Sequence, residues 1–219
     1  MDGPALFALA AACAVLAWAA RGLPWFKLRG DAEAVQVLLW ATVAVVALRW
    51  FNTDALRGVT LHFIGATAIT LMFGPRFALW VMAIASLVAW VFGTEWRDWG
   101  SDLLVTGVLP VLVTMLVGRH IEQRLPPNLL LYVWVRAFLG GALAIAASNL
   151  AKAAVGWMLG EHGWQAYLIA TPPMMFGEGF FCGGALALIV VYRPQWCASF
   201  DDARYLAKRP YEPRDLPPE

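Results

Sequence analysis

Charge is scarce in this sequence: Asp, Glu, Lys and Arg supply 14% of its 219 residues, against about a quarter in an average soluble domain. With 61% hydrophobic residues and a mean hydropathy of +0.64, such a chain is not expected to fold as one or two soluble domains. Cysteine is also scarce. Cys13 and Cys182 lie inside apolar blocks and Cys197 follows the last one, which excludes a disulfide framework and a zinc knuckle and leaves the thiols as small apolar fillers. No basic patch exists for nucleic acid. Also missing are HExxH, GxSxG and GxxxxGK[ST], so the chain is not expected to be an enzyme or to bind ATP phosphates itself. The first apolar run lacks a basic leader, with only Asp2 before it and Arg21, Lys27 and Arg29 after it. That order predicts an uncleaved anchor with a translocated N-terminus rather than a signal peptide.

What is present is a series of apolar blocks long enough to cross about 30 Å of hydrocarbon. They predict an all-α, polytopic membrane protein of about seven transmembrane helices, over 4–20, 35–50, 59–73, 77–92, 103–117, 128–159 and 166–192. Residues 1–195 form one bundle and 196–219 a polar tail. Gly74-Pro75 should end the third span, and Pro110 should kink the fifth. The sixth, roughly 48 Å if wholly helical, should tilt, protrude or bend at Gly140-Gly141. Pro172-Pro173 should interrupt the seventh. The connections 21–34, 74–76 and 118–127 and the tail carry eleven of the sixteen Lys and Arg. That asymmetry predicts a cytoplasmic C-terminus, with the N-terminus and 52–58, 94–101 and 160–165 outside.

Ionisable side chains inside a bilayer are costly and therefore candidates for function. Here they are His62, Arg136, Lys152 and Glu178. His62 opens the third span near the outer surface, where an imidazole either ligates a transition metal or hydrogen-bonds a neighbouring helix. Glu178 lies about 18 Å into the seventh span. A carboxylate near the midplane is protonated, paired with Arg136 or Lys152, or open to a water-filled path. Asp2, Asp54, Glu95, Asp98, Glu161 and His162 gather on the outer face. The tail segment from Arg193 to Leu206 mixes charge with aromatics, as suits a partner surface or the membrane interface.

The stretch Leu61-His62-Phe63-Ile64-Gly65-Ala66, with Leu71-Met72-Phe73-Gly74-Pro75 after it, resembles a signature of the CbiM/NikM family, the membrane substrate-capture components of cobalt and nickel energy-coupling-factor transporters. Phe176-Gly177-Glu178-Gly179-Phe180 resembles that family's GEG motif, and the order and placement agree over about residues 1–195. The third span, the LPPN loop at Leu125-Pro126-Pro127-Asn128 and the ending from Tyr192 to Leu206 are similar to a divergent branch of energy-coupling-factor permeases. The resemblance implies a plasma (inner) membrane protein whose partners are a coupling transmembrane subunit and cytoplasmic P-loop ATPases. Co²⁺ or Ni²⁺ would be its transported ligand, with no permanently bound cofactor.

In that family a free N-terminal amine and a second-position histidine fold into the outer mouth and bind the metal together with the third-span histidine. By this likeness Met1, Asp2 and His62 are the candidate ligands, with His162 a further imidazole. Asp2 stands where the family has histidine, so this site would hold fewer imidazoles. The rival expectation is a non-transporting membrane subunit or assembly factor that keeps the fold without metal.

Overall fold

The structure, a computed structural model, describes residues 3–50, 59–94, 96–201 and 205, with Lys27 described in its backbone alone. Among the described residues the regular structure is wholly helical. The longer helices are α1 Gly3–Arg21, α2 Ala32–Trp50, α3 Ala66–Phe73, α4 Pro75–Val91, α5 Trp99–Arg124, α6 Leu129–Met158 and α7 Trp164–Tyr192. Five of them, α1, α2, α5, α6 and α7, are long and apolar enough to cross a membrane.

The third span departs most from expectation. Residues 59–65 are not helical, and only the eight residues of α3 continue the crossing. Pro75 then opens α4 directly after Gly74, so the predicted break holds. In α5 the turn before Pro110, Leu104–Val108, is π-helical. Proline cannot donate to the carbonyl four residues back, and a widened turn is one way a helix absorbs that loss. In α6 the π-helical stretch is Tyr132–Leu139, ending where the glycine pair begins. Gly141 lies instead against Cys182 of α7, where a small residue allows two helices to approach. The expected interruption at Pro172-Pro173 is absent, and α7 is continuous over 29 residues. The carbonyls of Leu168 and Ile169, which lose donors there, belong to exposed residues.

α3 forms the centre, with all eight residues buried. α2 is peripheral: it buries only Val45 and Arg49 and presents Leu39, Trp40 and Val43 outward. So much exposed apolar surface is the mark of a helix that faces lipid or another membrane protein. At one end of the bundle Gly100, opening α5, lies against Ala8 and Leu9 near the start of α1. The rings of Trp50 and Phe92, at the ends of α2 and α4, meet edge to face at the same end, 4.9 Å apart. At the other end Arg76 donates to the carbonyl of Gly22. There the chain after α7 turns back over α3. The N–H groups of Ala198 and Ser199 donate to the carbonyls of Met72 and Leu71 at 2.8 and 3.1 Å, satisfying acceptors that a helix C-terminus leaves open. Cys197 and Phe200 are buried against the bundle.

Candidate functional site

His62 sits in the irregular segment 59–65. A backbone without helical bonds is tolerated in a membrane only where protein groups satisfy it. Here they do. The N–H of Thr60 donates to the Tyr167 hydroxyl at 3.2 Å, and Lys152 Nζ donates to the Thr60 carbonyl at 3.1 Å. The N–H groups of Ile64 and Gly65 donate to Glu178 Oε2 and Oε1 at 2.9 and 2.7 Å. Gly65 turns the chain into α3 with a φ of 68°, a conformation that side chains disfavour. Glu178 is therefore an acceptor for two backbone amides of the segment that carries His62.

This arrangement also explains the glycines beside Glu178. A Cβ at Gly177 would stand 2.7 Å from the Phe63 ring, and one at Gly179 would stand 2.8 Å from the Phe138 carbonyl. Removing both side chains lets α7 press Glu178 between the His62 segment and α6.

The two cations expected as partners for Glu178 are engaged elsewhere. Arg136 pairs with Glu122 at 2.6 Å and donates to the Tyr205 hydroxyl at 3.1 Å, at the end away from His62. Lys152, 2% exposed, binds both oxygens of Thr60 and lies over the Tyr167 ring at 5.6 Å. His162 is exposed in the turn between α6 and α7. Met1 and Asp2 lie outside the described residues, as do Asp54, Glu95, Arg204 and Leu206.

Around His62 the structure assembles groups that the sequence pattern did not join. Arg49 Nη2 donates to both oxygens of Asp102, at 2.7 and 2.6 Å, while Nη1 donates to Ser86 Oγ at 2.8 Å. Asp102 also accepts the N–H of Trp96 at 3.1 Å and the hydroxyl of Thr106 at 3.3 Å. Arg49, Asp102 and His62 are 4%, 0% and 5% exposed, so this ion pair is shut away from solvent and lipid alike. Both oxygens of Asp102 are held by one nitrogen, Nη2, and the further bonds with Ser86, Trp96 and Thr106 help to make such burial tolerable.

His62 Nδ1 lies 3.0 Å from the carbonyl of Phe63. A carbonyl can only accept, so Nδ1 carries the proton and Nε2 keeps the lone pair. That lone pair faces Arg49 Nη2 at 3.4 Å. The signal for Asp102 and Arg49 was available: each stands within a turn of the end of an apolar block.

Chemically, the site offers one imidazole on a braced loop, beside a carboxylate already paired with arginine and a buried lysine. No three His, Cys, Asp or Glu gather at one point among the described residues.

Comparison with known proteins places this geometry. No curated protein matches the chain. A crystal structure of a truncated transition metal transporter shares its fold, with a TM-score of 0.66 over 86% of this chain and 92% of that one, at 21% identity. Residues 3–196 match the family model for the cobalt uptake substrate-specific transmembrane region. They take in all seven helices and the braced histidine, and the chain belongs to the CbiM family, membrane components of transport rather than enzymes.

Proposed function

We propose that the chain is the substrate-capture membrane component of an energy-coupling-factor-type transporter for nickel or cobalt, lying in the plasma (inner) membrane with its His62 end outside. The observation that carries this reading is His62 itself: the imidazole stands on a segment whose backbone is fixed by Glu178, Lys152 and Tyr167. A ligand held in place before the ion arrives needs little ordering on binding. α1 begins at the same end, at Gly3, so chain connectivity favours the Met1 amine and the Asp2 carboxylate as the other ligands, with His162 in the neighbouring turn. The distribution of Lys and Arg supports the orientation. Because the chain carries no phosphate-binding loop, movement of the ion inward falls to a coupling transmembrane subunit and separate P-loop ATPases.

Purified full-length protein in nanodiscs is expected to bind one Ni²⁺ or Co²⁺ in equilibrium dialysis. His62→Ala should lose more affinity than the roughly 10–100-fold that outer-shell partners contribute at metal sites. Unchanged affinity in the variant would remove His62 from the site.

A specific observation favours a second reading, the non-transporting subunit: the group that faces His62 Nε2 is a cation, Arg49, and the nearby carboxylate of Asp102 is already paired with it. Co-purification separates the two readings. P-loop ATPases in the complex support transport, and a stable complex without them supports the second.

A further inference from the structure

We propose that Arg49 is a gate on His62, holding the lone pair of Nε2 until a metal with high affinity for nitrogen displaces it. The inference rests on the metal-capture reading above and adds a residue to it. The guanidinium is anchored on two sides by short bonds, to Asp102 at 2.6 and 2.7 Å and to Ser86 at 2.8 Å. Its contact with His62 Nε2 is 3.4 Å, at the outer limit of hydrogen bonding. The bond on the metal-binding atom is thus the longest in the cluster.

Arg49 Nη2 also holds both oxygens of Asp102, so a metal that takes Nε2 must push the guanidinium back from the imidazole, and the short bonds to Asp102 and Ser86 set the resistance to that movement. The Arg49–Asp102 pair occupies both carboxylate oxygens of Asp102, which would otherwise offer a hard oxygen site to Mg²⁺ or Ca²⁺. Arg49 therefore acts on specificity in two ways. It neutralises the oxygen ligand, and it admits to the imidazole only ions for which nitrogen is a strong donor. Lys152 faces the same segment but is spent on both oxygens of Thr60 and makes no hydrogen bond to the imidazole.

The test uses full-length protein in nanodiscs and NiCl₂ as the probe. The double variant Arg49→Gln with Asp102→Asn removes both charges together and leaves a side chain too short to reach His62. It is expected to bind Ni²⁺ at least tenfold more tightly than the unsubstituted protein and with faster association by stopped flow. Adding His62→Ala should abolish the gain. A purely structural role for Arg49 would weaken binding or leave it unchanged, and either result overturns the gate.

Ser86→Ala removes one anchor while keeping the ion pair, and it should speed Ni²⁺ association several-fold. This milder variant decides the matter if the double variant fails to fold, and an unchanged rate then overturns the gate. If the unsubstituted protein binds Ni²⁺ through His62 and neither variant differs from it, the gate fails while metal capture stands. If none of the proteins binds, both fail.

Discussion

Asp102→Ala is expected to destabilise the folded bundle by about 3–5 kcal/mol, the usual consequence of leaving one partner of a buried ion pair alone. The guanidinium of Arg49 would then be 4% exposed with only Ser86 and a long contact to His62. Its Nε already lacks a hydrogen-bond partner. The expected loss exceeds that of a surface pair such as Arg97 with Glu161, whose side chains are 35% and 44% exposed; pairs of that kind contribute about 0–1 kcal/mol. Removing both charges with Arg49→Gln and Asp102→Asn should recover much of the loss, because the stranded charge disappears with its partner. Unfolding in detergent by heat or denaturant, compared across the two single variants and the double, measures this directly. Additive losses would show that the two residues do not act as a pair.

Glu178→Ala should be of similar size and local in its effect. The substitution strands the N–H groups of Ile64 and Gly65, each of which now donates to a carboxylate oxygen. A buried donor left without an acceptor costs about 1–3 kcal/mol, so the pair amounts to roughly 2–6 kcal/mol by the same measure. Glu178→Gln should cost less, since one oxygen remains to accept while the new amide group opposes the other N–H. Hydrogen exchange followed by mass spectrometry provides the readout. Peptides containing residues 59–65 should exchange faster in the variant, while peptides from α5, which makes none of these bonds, should not. Unchanged protection over 59–65 would mean that Glu178 does not brace the segment.

Both predictions rest on contacts that were only partly legible in the sequence. Most helices were readable because a crossing requires a long apolar run, and glycine or proline marks where one run stops and the next starts. The third span was half legible. Val59 to Gly65 is apolar enough to look helical, but the features that keep it open lie on other helices: Glu178, Lys152 and Tyr167.

The same limit governed Glu178. Its position within the last span identified it as a buried carboxylate and pointed to a cation as its partner. Its actual partners are backbone amides, which leave no mark on a residue pattern. Arg136 and Lys152 appeared available only because sequence does not show that one lies with Glu122 and the other with Thr60.

His62 could be found by its type and place. Asp102 and Arg49 could not be joined, since each sits at the edge of an apolar block and they are 53 residues apart. The glycines around Glu178 were legible as a motif before their use was known. The structure shows that use: they make room for Phe63 and for the backbone of α6.

X-ray absorption at the nickel edge shows directly whether His62 is a ligand to the transported metal. Full-length protein loaded with one equivalent of Ni²⁺ should show the outer-shell scattering of a coordinated imidazole, and His62→Ala at equal loading should lose it. A spectrum of oxygen ligands alone, or an imidazole signal that survives in His62→Ala, would show that His62 is not a ligand.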